Sequence, residues 1–346
     1  MSVTTEITRI QQAKADMCTA ILFREGSDVS SSLLSDNTFK NAINNLEGTL
    51  HYNPRTGNYI SYNGDFYAKL CEYPLWFWSK YSFSLNLSDS SKLTSKTFLY
   101  TTTTTADAYE QPDLTGKTWS TMTLGTAISV PANTFICIKS ESTVPVSDDT
   151  NYRKFNITNN NYHEVWCGGN IQSLMNFSTT LPRYAGFQYL FNNTNNANAL
   201  KSAPLLPYKD LSNSRGTYQY MFLDCRALEY PPILPATVLC EKCYEGMFQN
   251  CFALKWLPDL PAPEFKSRCY YLMFNAVKRP YRLKCMTYKN YVSNATNNWL
   301  QYTTPYFGFL ITPHPEIFTT NSPSGIPENW QAKTTEYDMS QYRNNN

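Results

Sequence analysis

The chain has 346 residues, with 29 Lys plus Arg against 27 Asp plus Glu and only 16% of its residues charged. That length accommodates two or three domains with ample core, and the near-neutral balance argues against nucleic acid or an anionic membrane as partner. No window approaches the roughly 20 apolar residues of a membrane-spanning helix, so membrane insertion is not expected.

Taken in order, Met1 to Ile10 shows neither an apolar run nor a basic leader, and no secretory signal is expected there. An amphipathic helix is expected over the first 25 residues. Thr4 or Thr5 caps it, Glu6 complements its dipole, and Ile7, Ile10, Met17 and Ile21 share one face. Gly26-Ser-Asp and Ser30-Ser-Ser break that pattern. A second short helix comes next, with Asp36 at its cap, Phe39, Ile43 and Leu46 on one face, and Gly48 as its stop. Residues 1–48 thus form a helical hairpin too small to hold a core of its own. It reads either as a clip packed on the next domain or as a docking and oligomerisation device that uses Ile7, Ile10, Met17 and Ile21.

Residues 49–167 read as β. His51 to Tyr62 looks like strand, turn and strand, and Lys96 to Thr105 is rich in β-branched and aromatic residues. Thr118 to Leu124 alternates, Ala127 to Pro131 ends at a proline, Phe135 to Ile138 suits a fully buried strand, and Tyr152 to Ile157 adds another. Short strands separated by turn signals predict a β-sandwich or jelly-roll-like domain.

From residue 168 to 280 the chain repeats itself. Tyr218-Gln-Tyr-Met221-Phe222 with Cys225-x-x-Leu228 recurs as Tyr244-Glu-Gly-Met247-Phe248 with Cys251-x-x-Leu254, and again from Tyr270 to Phe274. Phe222, Phe248 and Phe274 lie 26 residues apart, Leu234-Pro235-Ala236 returns as Leu260-Pro261-Ala262, and Cys243 returns as Cys269. A first, irregular unit places Phe191 31 residues before Phe222, with its insertion expected between Asn192 and Asn198. A fixed period in this range marks a solenoid whose units bury their apolar faces only by stacking. The expected repeat core is Phe191, Phe222, Leu228, Phe248, Cys251, Leu254 and Phe274. Residues 281–346, where Pro305, Pro313 and Pro315 mark breaks, are expected to cap the open end. The fold class is therefore α+β, mainly β: a helical hairpin, a sandwich, a short repeat stack and a cap.

Chemistry-bearing patterns are sparse. Cys240-x-x-Cys243 resembles half of a zinc knuckle without its second half, and the repeated cysteines suit buried packing. His163, Glu164 and Cys167 are too close along one strand end to converge, because neighbouring side chains alternate faces. With no nucleophile elbow or phosphate loop in the sequence, the expectation is a non-enzymatic protein with no cofactor and no metal. Binding is the stronger expectation, since a stack places one residue per unit in each surface column. Candidates are the positions that vary between units: Gln219, Glu245 and Tyr271 in one column, and Arg226 and Phe252 in another.

The order Cys243-Tyr244, Met247-Phe248, Cys251-x-x-Leu254, Leu260-Pro261-Ala262 resembles the BspA-type leucine-rich repeat, a family in which each unit supplies a short strand to a stacked sheet. Gly169 to Leu174 resembles the linker leading into such repeats, Trp119 to Ile128 a strand of the preceding β domain, and Asn294 to Leu300 with Ser324 to Trp330 the terminal cap. Met1 to Asp16 resembles the opening of virion structural proteins from phages of gut Bacteroidales, including crAss-like phages. These resemblances imply a virion protein assembled in the host cytoplasm and exposed on the particle, serving as head fibre, capsid decoration or tail-associated component. Its implied partners are other virion proteins, copies of itself in a trimer or higher ring, and possible host-surface glycans or proteins. The alternatives are a receptor- or glycan-binding adhesion protein and a bacterial surface adhesin.

Overall fold

The computed structural model describes residues 68–278, apart from 89–91, 108–109, 149, 160–162, 182, 184–185, 193–198, 255–256, together with the backbone of four short strands at 50–52, 59–61, 282–285 and 310–313. The chain divides into two compact units, Met1–Leu70 with Ser340–Asn346, and Cys71–Met339. The expected helical hairpin, including Ile7, Ile10, Met17 and Ile21, lies outside the described residues, as does most of the expected cap. The described part is mainly β, in antiparallel sheets with almost no helix.

In the first unit, β1 (Leu50–Tyr52) and β2 (Tyr59–Ser61) pair antiparallel, with His51 opposite Ile60. The second unit begins with β3 (Leu75–Ser79) and β4 (Phe83–Leu87), followed by β5 (Phe98–Thr103) and β6 (Ser120–Met122). Then come β7 (Ile128–Val130), β8 (Thr134–Lys139), β9 (Phe155–Thr158) and β10 (Trp166–Gly168). Two antiparallel sheets result, one in the order β10-β3-β8-β5-β6 and one in the order β7-β4-β9. Alternation explains their inner faces: in β4, Phe83, Leu85 and Leu87 are buried between half-buried Ser84 and Asn86. The central strand β8 is buried along nearly its whole length, as its apolar run from Phe135 to Ile138 requires. Phe77 of β3 meets Phe155 of β9 edge-on at 5.1 Å, which closes one sheet on the other.

A short 3-10 helix, Ile171–Met175, pins the sheets to the repeats. Asn170 caps it by accepting from the Gln172 N–H at 2.8 Å, and its amide donates to the Cys71 carbonyl at 2.7 Å. Ser173 donates to the Ile138 carbonyl and accepts from the Leu75 N–H, tying the helix to β8 and β3. Gly169 permits the approach: its φ is +72°, and a Cβ there would stand 1.9 Å from the Pro74 carbonyl oxygen.

Beyond this pin the repeats do not form strands of the ordinary kind. Each is a run of consecutive turns in which backbone duties alternate. The N–H groups of Tyr218, Tyr220, Phe222 and Asp224 donate to the carbonyls of Cys243, Glu245, Met247 and Gln249 in the next unit. The intervening N–H groups of Gln219, Met221, Leu223 and Cys225 donate three residues back along their own unit. The same arrangement joins Tyr244, Gly246, Phe248 and Asn250 to Cys269, Tyr271, Met273 and Asn275. It extends in the other direction as well, from Phe187, Tyr189 and Phe191 to Thr217, Gln219 and Met221. This corrects the expected short strand per unit: φ turns positive every fourth residue, at 216, 220 and 224, then 242, 246 and 250, then 268, 272 and 276.

Phe191, Phe222, Leu228, Phe248, Cys251, Leu254 and Phe274 are all buried. The four phenylalanine rings form a column, Phe191 to Phe222 to Phe248 to Phe274, at centroid spacings of 5.2, 5.7 and 5.8 Å. It continues into the sheets, because Phe155 stacks on Phe191 at 5.6 Å. A parallel column runs Phe187, Tyr218, Tyr244, Tyr270 and ends at Phe265, edge-on. The sheets and the stacked turns thus share one core, and the expected boundary near residue 167 falls inside it. After Lys278, β11 (Arg282–Cys285) pairs parallel with β12 (Leu310–Pro313).

Phe222→Ala, which breaks the column between two ring contacts, is expected to cost about 3–5 kcal/mol by urea denaturation. Tyr244→Phe is expected to be neutral or mildly stabilising, because the Tyr244 hydroxyl is buried without a hydrogen-bond partner. Lys96 gives a pH signature. Its ammonium is buried against the carbonyls of Ser142 and Val144, and burial, then the nearby Arg153 guanidinium, push its pKa from 10.5 down to about 8. Below about 8 the lysine is charged in both states and the burial penalty is complete. Between about 8 and 10.5 the unfolded chain holds the extra proton, so this contribution to stability rises with pH. The wild-type minus Lys96→Met difference in unfolding free energy should therefore become more favourable to wild type across that window. A flat difference would refute the assignment.

Candidate functional site

The repeat backbone turns sequence columns into rows of side chains. Three aromatic residues form one such row at the surface. Tyr152, from the turn before β9, lies 4.5 Å from Tyr189, and Tyr189 lies 5.0 Å from Tyr220. The next member of the column is Gly246, where a tyrosine cannot be repeated: a Cβ there would come 2.1 Å from Cε1 of Tyr220. The Tyr220 ring therefore lies over bare backbone, and its hydroxyl donates to Glu245 Oε1 at 2.9 Å. Arg268 donates to the same oxygen at 2.7 Å and places its guanidinium 4.3 Å above the Tyr271 ring.

The electrostatics stem from this packing. Burial, then the neighbouring Glu245 charge, push the Tyr220 phenol well above its ordinary value, and burial followed by Tyr152 raises that of Tyr189. Both phenols remain protonated donors over the physiological range. Glu245 is 1% exposed and paired with Arg268, so the carboxylate sits at the base of the row and not on its surface.

That position corrects one sequence expectation. Glu245 shares the column of Gln219 and Tyr271, but it is a buried support, whereas Gln219 and Tyr271 are half-buried. Gln219 accepts from the Gln188 amide at 3.0 Å. Arg226 and Phe252, in the other predicted column, lie seven residues further along each turn. Phe252 is held between cations there, with Arg226 at 5.5 Å and Lys278 at 4.7 Å from the ring. The described structure thus separates the five candidates into two groups. Tyr152, Tyr189 and Arg268 were not singled out from sequence. The Tyr189–Tyr220 match is visible once the 31-residue first unit is aligned on its phenylalanines, but Tyr152 lies outside the repeats altogether.

The cysteine columns have a structural explanation. Cys225 donates its thiol to the Phe191 carbonyl at 3.0 Å, and Cys251 to the Phe222 carbonyl at 3.1 Å. A small apolar side chain with a weak donor fits a position that must both pack and satisfy a carbonyl of the preceding unit. Burial pushes both thiols well above the ordinary thiol range. Cys167 is likewise buried, its thiol raised by burial, while the ring of His163 stacks on Tyr81 at 3.8 Å. No activated nucleophile arises from that pair. Among the described residues, no group of three His, Cys, Asp or Glu side chains is placed to hold a metal ion.

No protein-family model matches the chain, and no curated protein or solved structure matches it.

Gly246→Ala is expected to destabilise by about 1–3 kcal/mol, because φ is +58° and the added methyl meets the Tyr220 ring. In a Tyr220→Ala background the cost should fall towards the ~1 kcal/mol of left-handed backbone strain alone. Equal costs in both backgrounds, measured by chemical denaturation, would contradict the packing described.

Proposed function

We propose that this chain is a non-enzymatic structural protein of a phage particle, anchored by its N-terminal segment and displaying a BspA-type leucine-rich-repeat solenoid outward. The observation that carries the display half is the shared core. Phe155 of β9 donates its N–H to the Leu190 carbonyl and stacks on Phe191, so the repeats are built directly onto the sheets. A module joined in that way transmits force and holds its surface at a fixed angle to the domain that bears it. A freely jointed binding domain would do neither. The anchoring half rests on the likeness of residues 1–16 to the opening of virion proteins and on the apolar face of Ile7, Ile10, Met17 and Ile21. Head fibre, capsid decoration and tail-associated protein all fit this reading, as does assembly into a trimer or higher ring.

A second reading makes attachment to a host-surface receptor or glycan the principal role. It is favoured by the tyrosine row, since Tyr152 is 40% exposed on a chain whose large apolar side chains are otherwise mostly inside among the described residues.

Electron microscopy of particles carrying a tagged copy should locate the protein at a defined head or tail position. Removal of residues 1–48 should abolish incorporation while the remaining chain keeps its cooperative unfolding transition. Incorporation of the shortened chain at normal occupancy would refute the anchoring role.

A further inference from the structure

We propose that Cys240 and Cys243 are a dithiol oxidation site, in which the Cys240 sulfur attacks a peroxide and the Cys243 sulfur then closes a disulfide. A departure from the repeat carries it. Equivalent positions in the three regular units hold Ser214 and Thr217, then Cys240 and Cys243, then Lys266 and Cys269. The middle unit alone among these carries sulfur at both, three residues apart across the turn that Lys242 makes with φ at +59°.

That turn brings the two sulfurs together. Cys243 donates its thiol to the Cys240 sulfur, and the Cys269 carbonyl, 4.0 Å from the Cys243 sulfur, is its other acceptor in reach. The preceding unit supplies more donors to Cys240. The Thr217 hydroxyl lies 3.6 Å from its sulfur, and the N–H groups of Thr217 and Gly216 also point at it. Donors gathered on one sulfur favour its anionic form. The Cys243 contact first, then the Thr217 and Gly216 donors, hold the Cys240 thiol below its ordinary value against burial, whereas burial pushes Cys243 well above. One thiolate thus sits beside one thiol, the division of roles that disulfide formation needs. In the next unit the Cys269 sulfur accepts from the Lys266 N–H at 3.4 Å and has no sulfur three residues before it.

Access favours the same residue. Cys240 is 5% exposed and follows exposed Thr237 and Val238, whereas Cys243, Cys251 and Cys269 are fully buried. A peroxide therefore meets the Cys240 sulfur first, and Cys243 is reached from within. The Cys240 thiolate takes one peroxide oxygen as the O–O bond breaks, giving a sulfenic acid and a hydroxide that solvent protonates to water. The Cys243 sulfur then attacks that sulfenic sulfur, and its proton leaves with the displaced hydroxide as a second water. Two thiols and one peroxide become one disulfide and two waters.

The test treats the reduced, native full chain with hydrogen peroxide, then quenches in acid, unfolds, alkylates and maps peptides. A Cys240–Cys243 disulfide should form while Cys225, Cys251 and Cys269 stay reduced. Loss of the Cys240 thiol should outpace that of Cys251 about tenfold or more. Its rate should inflect at a lower pH than that of a cysteine peptide run beside it. Cys243→Ser should leave a Cys240 sulfenic acid that dimedone captures. Cys240→Ser, which matches the native Ser214 of the preceding unit, should abolish reaction at Cys243. A common rate for Cys240 and Cys251, absence of the Cys240–Cys243 peptide, or unchanged oxidation of Cys243 in Cys240→Ser overturns the site. Where a variant loses its cooperative unfolding transition, the wild-type map and rate ratio decide alone.

Discussion

The structure depends on how each repeat disposes of its backbone N–H groups. Half of them close turns within a unit, from Met221 back to Tyr218 and from Cys225 back to Phe222, and the other half cross to the next unit, from Tyr218 to Cys243 and from Phe222 to Met247. From Tyr218 to Cys225 every N–H has a backbone acceptor, as a buried main chain requires. The arrangement has a cost. It forces φ positive at every fourth residue, and Tyr220, Lys242, Arg268 and Leu272 accept a left-handed conformation that disfavours L side chains by about 1–2 kcal/mol each. The crossing bonds and ring columns offset that strain only when a neighbouring unit is present. A single unit alone would keep the strain and lose both, which is why these repeats exist as a stack continuous with β9.

Side chains obey the same geometry. Because turns close every fourth residue, inward positions recur in pairs, Met221 with Phe222 and Met247 with Phe248, bracketed by Tyr218 and Cys225 or by Tyr244 and Cys251. In space that spacing makes one wall of a turn stack. Aromatic rings suit the inner wall because the crossing bonds bring equivalent side chains into face-to-face register, as the 3° and 4° interplanar angles along Phe222, Phe248 and Phe274 show. Cysteine suits the end of the wall, where its thiol reaches a carbonyl of the preceding unit.

Much of this was legible from the sequence. Columns could be read from the 26-residue period, and the inner strands β5 and β8 from their β-branched and apolar runs. Other features were hidden for physical reasons. Strand β3, Leu75 to Ser79, lies in a proline-flanked aromatic cluster, and nothing local says that Trp76 and Trp78 face one side while Phe77 faces the other. Consecutive turns could not be told from strands, because both leave the same apolar columns and differ only in φ. The depth of Glu245 was invisible too: its partner Arg268 belongs to the next unit, and the space above it depends on the missing side chain of Gly246. Tyr152 escaped notice because its place in the row comes from the turn before β9, where no repeat can be seen.

The departures from the repeat are more informative about function than the repeat itself. A stack made of identical units would carry a uniform tyrosine row along its length. This one interrupts the row at Gly246 and sets beside it an ion pair between the buried Glu245 carboxylate and the half-buried Arg268, the carboxylate also receiving the Tyr220 hydroxyl. Such a pair adds little to stability over a well-packed apolar substitute. What it does is lock the Tyr220 ring flat over Gly246 and hold its hydroxyl at a fixed height. The ordered columns inside explain why the module stands, and the broken column outside follows from the same packing.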